Sequence, residues 1–550
     1  MIAHSVEDPL YYLHNFRQVL RWVEHRYADI LDPHEQDFLR VFSGLAQPTQ
    51  ALLVRMVMRK GELFRGDRLE YAEIGDTDAA LQPLLTLGWV CPRPVLDLEQ
   101  LFALLRRDEL LTCFADHLAQ PRVTKTQLLA TLRPLDLPGR PLSAWFAQAP
   151  VQILHWRLQP LCDRLRLLFF GNLYQDWSEF VLADLGVLRY EQVNFSADSR
   201  ALRQRDEVDL AMALHACAER LEQGEAPSTL LQALERVDST NPWLARRRVR
   251  LLFAIGQRCE RLGQWDLALS VYDGLDHPEA RIRQVRVLER SEQWQRAQAL
   301  ASHMAQTVAN PLESQALARM LPRLARKLGG PPRRRPSPAA QTLIELELPV
   351  EMAERGVEEA VRLHLAQADG EVHYVENTLF NSLFGLLCWE AIFAPLPGAF
   401  FHPYQAAPQD LHDCDFLTRR AALFETCLGR LDDGSYRQAI RECFAAKHGL
   451  QSPFVFWQVL NEVLLEQALA CIPAEHLKRC FQRLLQDIRN NRAGMPDLVQ
   501  FWPGQGRYRM IEVKGPGDRL QDNQLRWLDF CREHGMPVAV CHVRWCEVAP

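Results

Sequence analysis

Apolar residues recur at helical spacing from the start of the chain to about residue 326. In residues 1–75, Leu20, Val23 and Ile30 alternate with charged residues, which predicts an amphipathic helix, and Phe38 begins a second apolar series. Residues 76–150 have the pattern of a small helical module. Residues 151–326 have the pattern of continuous helices, so most of the chain is predicted to be α-helical.

Two segments within residues 151–326 resemble each other. Trp265 and Trp294 lie 29 residues apart, and each is followed three residues later by an alanine. A large residue packed against a small one at helical spacing is typical of stacked helix pairs in tetratricopeptide repeats, whose period is about 34 residues. We therefore expect degenerate tetratricopeptide-like repeats, which serve as a scaffold or as a docking surface for a protein partner.

The pattern changes in residues 327–341, which are rich in proline and arginine. Proline and glycine interrupt regular structure, and adjacent arginines stay solvated, so this segment is predicted to be a linker. Its arginines could also touch nucleic-acid phosphate. Beyond the linker, residues 342–550 contain two apolar strands, 498–502 and 509–514, separated by a Pro/Gly-rich turn. We therefore expect a C-terminal α/β domain.

The predicted hairpin carries two acids and a lysine. Asp497 stands at the start of the first strand, and Glu512 and Lys514 share one face of the second, because side chains alternate along a strand. Two carboxylates, with the carbonyl of Val513, can hold a hard cation such as Mg²⁺ or Mn²⁺. Such an ion activates water for phosphodiester hydrolysis, and a lysine can orient the water or stabilise the developing charge. The alternative is a surface hairpin with an exposed acid and lysine.

Composition restricts the class of protein. With 48% hydrophobic and 24% charged residues the chain resembles an ordinary soluble globular protein, and its 550 residues suggest several domains. It has no apolar run of about 18 residues, which argues against a membrane span. The N-terminus lacks the features of a secretory signal. The 14 cysteines include no CxxC pair, so reduced thiols and a cytoplasmic location are expected.

Basic residues suggest where nucleic acid binds. The formal net charge is −6, but clustering of cations matters more than the total. Arg55, Arg59 and Lys60 are expected on one face of a helix that tracks phosphates, with a solvated helix face as the alternative. Lys125 begins a short helix after Thr124, which is a plausible N-cap. This helix resembles the second helix of a SAP-type DNA-binding module, although an ordinary helical hairpin has the same pattern.

The motif Pro496-Asp497…Glu512-Val513-Lys514 resembles the PD-(D/E)xK nuclease core, and the surrounding residues resemble its VRR-type branch. The resemblance implies a helix over residues 520–534, whose Gln524 faces the active site, and a buried strand over residues 537–543. It also implies an upstream helix whose acid, Glu376, is a further metal ligand.

Two other acids near Glu376 remain open. Glu371 competes with Glu376 for the role of ligand, and Glu390 could lie near the site without binding metal. His373 is interpreted as a packing or surface residue.

Taken together, the helical N-terminus, SAP-like module, degenerate repeats and split nuclease motif resemble the Fanconi-associated nuclease family. The resemblance implies a structure-selective endonuclease that incises 5′ flaps in branched double-stranded DNA, with 5′-to-3′ exonuclease activity as a further expectation. It also implies a role in DNA repair, including repair of interstrand crosslinks, in the nucleoid of a bacterial cell. Residues 381–485 would be a helical insertion in the nuclease domain.

Not every feature of the family is recognisable in this chain, and other functions remain open. The ubiquitin-binding zinc finger of animal members is not recognisable, so recruitment by ubiquitin is not expected. The alternatives are a PD-(D/E)xK nuclease for Holliday-junction or restriction cleavage, and a catalytically dead DNA-binding scaffold. A restriction enzyme would need residues that read base edges, and none is identifiable.

Overall fold

A computed structural model describes residues 8–115, 123–175, 177, 188–235, 239–308, 311–330, 342–366 and 370–546. The chain forms two compact units, one of residues 1–188 and 202–212 and the other of residues 189–201 and 213–550. Most of the predicted linker, residues 331–341, lies outside the described residues. No helix within the described ranges is long and apolar enough to cross a membrane.

The first unit is largely helical, as predicted. Its helices begin at well-defined caps: the Asp32 side chain accepts a hydrogen bond from the Glu35 amide, and Thr124 and Gln127 form the same kind of capping box. The N-cap predicted at Thr124 is therefore confirmed. The helices are Tyr11–Tyr27 (α1), Pro33–Gly44 (α2), Gln47–Val57 (α3), Thr77–Thr86 (α4), Leu98–Leu104 (α5), Arg107–Cys113 (α6), Lys125–Leu132 (α7), Leu142–Trp145 (α8) and Gln159–Phe170 (α9).

The first unit also contains short strands that the apolar pattern did not predict. They are Leu63–Arg65 (β1), Val90–Cys91 (β2), Val95–Leu96 (β3), Arg140–Pro141 (β4) and Ile153–Trp156 (β5). β1 and β2 both pair with β5, so this antiparallel sheet joins residues on both sides of the boundaries predicted near residues 75 and 150. The prediction that these regions are wholly helical is wrong, because strands of two to four residues show no periodicity.

The helical repeats lie in the second unit. Residues 188–204 contain a single 3₁₀ turn and no α-helix, so the prediction of continuous helices from residue 151 is wrong there. The helices that follow are Arg205–Glu222 (α10), whose residues up to 212 belong to the first unit, Pro227–Glu235 (α11), Pro242–Arg261 (α12), Trp265–Tyr272 (α13), Ala280–Arg290 (α14), Trp294–Gln306 (α15) and Pro311–Lys327 (α16).

The alanines of the predicted repeat pattern are buried in these helices. Trp265 and Trp294 begin α13 and α15, and the alanines three residues later, Ala268 and Ala297, are fully buried. α12 and α13 approach closely as well, because a Cβ added to Gly256 would lie 2.5 Å from the Tyr272 ring. Small residues thus let consecutive helices pack in pairs.

The C-terminal part of the second unit is built on a five-stranded sheet. Its strands are Leu343–Pro349 (β6), Glu371–Tyr374 (β7), Leu498–Trp502 (β8), Arg507–Lys514 (β9) and Val538–Cys546 (β10), in the order β6-β10-β9-β8-β7. β10 is parallel to β6 and β9, whereas β8 is antiparallel to β7 and β9. The predicted hairpin is therefore confirmed, and so is the C-terminal strand.

Helices cover both faces of this sheet. On one face, Ile511 and Val513 pack against Val361 in the helix formed by residues 357–366. On the other face, Val499 and Met510 pack against residues of the insertion and of the C-terminal helix. The helices are Val357–Ala366 (α17), Leu379–Leu387 (α18), Trp389–Ile392 (α19), Phe416–Arg419 (α20), Ala421–Asp433 (α21), Tyr436–Lys447 (α22), Glu462–Cys471 (α23), Ala474–Gln486 (α24), Ile488–Asn491 (α25) and Asp522–Glu533 (α26). The insertion predicted at residues 381–485 is accordingly helical. α26 lies within the predicted range 520–534.

Candidate active site

Asp497, Glu512 and Lys514 meet where β8 begins and β9 ends. Asp497 directly precedes β8, and its Oδ2 accepts a 2.8 Å hydrogen bond from the Val513 amide on β9. Lys514 Nζ lies 2.7 Å from Glu512 Oε1. All three side chains are buried, with exposed fractions of 6%, 0% and 8% in chain order. The structure therefore brings together the three residues of the predicted motif, and they do not form an exposed surface hairpin.

Burial raises the pKa of both acids. Burial raises the pKa of Asp497 to about 6, the charges of Glu376 and Glu358 add to this, and the Val513 amide and Lys514 oppose it. Burial likewise raises the pKa of Glu512 to about 7, with the charge of Asp497 adding and Lys514 opposing. Several carboxylates with one lysine make an anionic site, which favours binding of a cation.

The donor set fits a hard divalent cation. Glu512 Oε2 is buried and has no hydrogen-bond partner among the described residues, which is costly for an acceptor with no compensating contact. A cation beside Asp497 and Glu512 would satisfy this oxygen, and carboxylate oxygens are the ligands that Mg²⁺ and Mn²⁺ prefer. Within the described residues, no group of three or more His, Cys, Asp and Glu side chains is arranged so that it could hold a metal ion. Mg²⁺ commonly binds one or two carboxylates together with waters and substrate phosphates, and the pair Asp497 and Glu512 can supply those carboxylates.

Glu376 lies next to this site, but not on a helix as predicted. Residues 371–374 form β7, which pairs with β8, and Glu376 stands in the turn between β7 and α18. The Val375 amide donates a 2.8 Å hydrogen bond to the Asp497 carbonyl, which keeps this turn beside Asp497. The carboxylate of Glu376 is exposed and accepts hydrogen bonds from Tyr374 and Asn377. Its proximity to the buried acids agrees with the predicted role, which stays a prediction.

The alternative acids lie elsewhere. Glu371 is at the far end of β7, opposite Phe501 and about 10 Å along the strand from Tyr374. It accepts a hydrogen bond from Gln467, whose Oε1 is also 2.7 Å from His373 Nε2. Glu390 is near the buried thiols of the insertion. Among the described residues, no hydrogen bond or ion pair joins either acid to Asp497, Glu512 or Lys514. His373 contacts Gln467 and the Phe501 ring, which agrees with the packing alternative.

Gln524 takes part in the N-terminal cap of α26. It lies in the first turn of α26, and its Oε1 accepts a 2.8 Å hydrogen bond from the Gln521 amide in a capping box. Within the described ranges, no hydrogen bond joins Gln524 to Asp497, Glu512 or Lys514. Its expected orientation toward the active site therefore stays a prediction.

Sequence reasoning missed Glu358, Tyr374 and Asn377. Glu358 is in the first turn of α17, and its charge contributes to the raised pKa of Asp497. Nothing in the local pattern separates it from an ordinary acid at a helix start. Tyr374 and Asn377 flank Glu376, and only the turn geometry shows that both contact its carboxylate.

The proposed phosphate-tracking helix is shorter than predicted. α3 ends at Val57, so Arg59 and Lys60 lie beyond it, and the expectation of one helical face is wrong. Arg55 is partly buried and binds Glu73, with a 2.9 Å hydrogen bond from its Nε. Arg59 donates to the Arg68 carbonyl at 2.7 Å, whereas the Lys60 side chain is exposed. The predicted contact of these residues with DNA stays a prediction.

Lys125 is also engaged within the first unit. It begins α7, and its Nζ donates a 2.8 Å hydrogen bond to the Leu105 carbonyl. Burial lowers the pKa of its ammonium group. This contact ties α7 to the end of α5 and gives Lys125 a structural role. Its contact with DNA stays a prediction.

Domain comparisons match three regions of the chain. The VRR-NUC domain matches residues 431–545, which include Asp497, Glu512 and Lys514. The FAN1 HTH domain matches residues 10–91, and the Fanconi anemia-associated nuclease SAP domain matches residues 95–145. The SAP match contains Lys125, so the resemblance of this helix to a SAP module is confirmed over that of an ordinary hairpin.

Whole-chain relatives give a consistent result. A Fanconi-associated nuclease 1 homolog of Pseudomonas aeruginosa is 57% identical over 541 residues, which is 98% of this chain and 97% of the relative. A homolog of Arabidopsis thaliana is 24% identical over 99% of this chain and 68% of its own length. The crystal structure of paFAN1 bound to 2nt 5′ flap DNA with gap matches with a TM-score of 0.87 and 56% identity, over 99% of this chain and 100% of that one. The chain therefore belongs to the Fanconi-associated nuclease family, and it is a DNA nuclease.

Proposed function

We propose that this chain is a divalent-metal-dependent, structure-selective endonuclease that cuts DNA near the base of a 5′ flap. The observation that carries the metal dependence is the buried pair Asp497 and Glu512, with Oε2 of Glu512 lacking a hydrogen-bond partner among the described residues. Asp497, Glu512 and Glu376 would hold Mg²⁺ or Mn²⁺, with the Val513 carbonyl as a further ligand. When bound, the ion supplies positive charge to the scissile phosphate and acidifies the attacking water.

The chain's own residues do the rest of the chemistry. Lys514 is 2.7 Å from Glu512, so its ammonium group is held where it can orient the water and stabilise charge on the phosphate oxygens. The water oxygen bonds to phosphorus, the P–O3′ bond breaks, and a proton goes to the leaving oxygen. The products carry a 5′-phosphate and a 3′-hydroxyl. Gln524 is also proposed to assist the reaction from the first turn of α26, where its Oε1 accepts the capping hydrogen bond.

The substrate is proposed from the relatives. paFAN1 has been crystallised with 5′ flap DNA, and it matches nearly all of this chain. We therefore expect flapped or branched duplex DNA as the partner here, with 5′-to-3′ exonuclease activity as a second use of the same site. We also propose a role in DNA repair, which the names of the relatives support, and within it the repair of interstrand crosslinks. The catalytically dead scaffold is not favoured, because the predicted catalytic positions hold residues competent for the reaction. They are Glu376, Asp497, Glu512 and Lys514.

We expect the protein to act in the bacterial cytoplasm at the nucleoid, where its substrate is located. The helical repeats offer a surface for a protein partner, and recruitment by ubiquitin is not expected.

A panel of end-labelled substrates tests this function. It comprises matched 5′ flaps, 3′ flaps, Holliday junctions and plain duplexes, each incubated with Mg²⁺, Mn²⁺, Ca²⁺ or EDTA. We expect preferential cutting of the 5′ flap in Mg²⁺ or Mn²⁺ and no cutting in EDTA. The variant Glu512→Gln should bind the same DNA and not cut it. Equal rates on all substrates would contradict structure selectivity, and full activity in EDTA would contradict metal dependence.

A further inference from the structure

The carboxylate of Glu376 is held by two neighbouring side chains. The Tyr374 hydroxyl donates a 2.5 Å hydrogen bond to Oε2, and Asn377 Nδ2 donates a 3.2 Å hydrogen bond to Oε1. Each oxygen therefore has its own donor. Because Glu376 is exposed on a turn, its side chain would otherwise sample several rotamers, and fixing one of them costs conformational entropy.

The backbone of this turn is fixed as well. Asn377 has a φ of 53°, in the left-handed region, which non-glycine residues adopt only where surrounding contacts hold them there. Its Oδ1 accepts a 3.0 Å hydrogen bond from the Met495 amide, and its carbonyl accepts a 2.6 Å hydrogen bond from Asn381. Met495 lies two residues before Asp497. The turn that carries Glu376 is thus tied to the loop that carries Asp497.

Tyr374 is exposed to a large extent. It is the last residue of β7, opposite Leu498, and 46% of its side chain is exposed. An exposed aromatic ring on this strand contributes little to the core, where Val372 of the same strand is buried. Its hydroxyl instead contacts Glu376, next to the two buried acids.

We infer that Tyr374 and Asn377 are positioning residues that hold Glu376 as an oxygen donor for the divalent cation beside Asp497 and Glu512. This inference rests on the proposed function. Hydrogen bonds to an ionised carboxylate are strong, and groups that orient a metal ligand in this way commonly change metal affinity by about tenfold or more when removed. Each Glu376 oxygen accepts one hydrogen bond and keeps a lone pair free for the metal.

Mn²⁺ binding by the full-length, DNA-free protein tests the inference. Isothermal titration with Mn²⁺ would compare the wild type with Tyr374→Phe, Asn377→Gly and Glu376→Gln. Glycine tolerates the left-handed backbone at position 377, so Asn377→Gly removes the side-chain contacts without adding strain. We expect Tyr374→Phe and Asn377→Gly each to raise the Kd for Mn²⁺ about tenfold. The unfolding midpoint of Tyr374→Phe in EDTA should match the wild type.

A matched control comes from the helical repeats. The Tyr272 hydroxyl also donates to a glutamate, at 2.7 Å from Glu260 Oε1, but this pair is in a buried interface of the repeats. Tyr272→Phe should therefore lower the unfolding midpoint and leave the Kd for Mn²⁺ unchanged. This control separates loss of a tyrosine–glutamate hydrogen bond from loss of one at the metal site.

The variants distinguish failure of the inference from failure of the proposed function. If Glu376→Gln binds Mn²⁺ as the wild type does, the assignment of Glu376 as a ligand in the proposed function fails. If Glu376→Gln weakens binding while Tyr374→Phe and Asn377→Gly bind equally or more tightly than the wild type, the inference is overturned and the metal site stands. The double variant Tyr374→Phe/Glu376→Gln should bind no more weakly than Glu376→Gln. A further loss would show that Tyr374 does not act through Glu376.

Discussion

Lys514 is one of six lysines among the 63 basic residues of this chain, so arginine is its usual cation. The buried ammonium group sits 2.7 Å from Glu512, and a guanidinium there would be larger and would direct its donors differently. We expect Lys514→Arg to reduce the single-turnover cleavage rate by about a hundredfold. Lys478→Arg is the matched control, because Lys478 pairs with Asp432 on the surface of the insertion. An active Lys514→Arg variant would mean that any positive charge suffices.

The buried acids lower stability when they are ionised. The pKa of Asp497 is raised to about 6 and that of Glu512 to about 7, both above their ordinary values. The folded protein therefore binds protons more tightly than the unfolded chain does. The stability that comes from these protons is full below about pH 4 and is lost as pH rises through about 6 to 7.

A neutral residue in place of Glu512 tests whether ionisation of this buried acid lowers stability. Without metal, Glu512→Gln should increase the free energy of unfolding of the nuclease domain by about 1–3 kcal/mol at pH 8. The gain should be smaller at pH 5, where Glu512 is already protonated. Denaturant unfolding in EDTA at both pH values measures this change in the free energy of unfolding. Glu475→Gln is the control, because Glu475 is exposed. Equal stability of wild type and Glu512→Gln at pH 8 would contradict the raised pKa.

At the scale of elements, the length of each strand decided what could be predicted. β8 and β9 are five and eight residues long and enclose a Pro/Gly turn, so the hairpin and the shared face of Glu512 and Lys514 follow from the sequence. β7 has four residues, too few to show an alternation. Its pairing with β8 is a contact between distant parts of the chain. The position of Glu376 in the turn after β7 could therefore not be derived locally.

Gly494 connects two elements of the site. Its φ is 93°, and an added Cβ would lie 2.7 Å from the backbone carbon of Asn523 in α26. An alanine there must shift α26 or the loop that carries Asp497. We expect Gly494→Ala to lower the cleavage rate at least about tenfold, since small displacements of reacting groups are costly. Gly504→Ala, with open space around it in the β8–β9 turn, is the control and should cleave normally. Normal cleavage by Gly494→Ala would show that this contact is not needed.

At the scale of the whole molecule, the two units carry different parts of the proposed function. The first contains the regions that match the HTH and SAP domains, and the second contains the buried acids. Charge alone poorly predicts which basic residues of the first unit contact DNA, because some of them already have partners within the protein. Arg55 binds Glu73 and Lys125 binds the Leu105 carbonyl, whereas the Lys60 side chain is exposed. Lys60 is therefore the best candidate in its segment for a contact with phosphate.

DNA binding at two salt concentrations tests this distinction. Lys60→Ala should weaken binding to 5′ flap and plain duplex DNA by a similar factor. It should also reduce the slope of log affinity against log salt concentration by about 1. Its unfolding midpoint should not change. Arg55→Ala should instead lower the unfolding midpoint, because it leaves the partly buried Glu73 without its partner. Fluorescence anisotropy gives the affinities, and cleavage of both substrates gives the flap preference. Lys60→Ala should retain this preference, because a single phosphate contact is present with either substrate. Unchanged affinity and salt dependence in Lys60→Ala would remove this residue from the DNA-binding surface without affecting the assignment of the nuclease site.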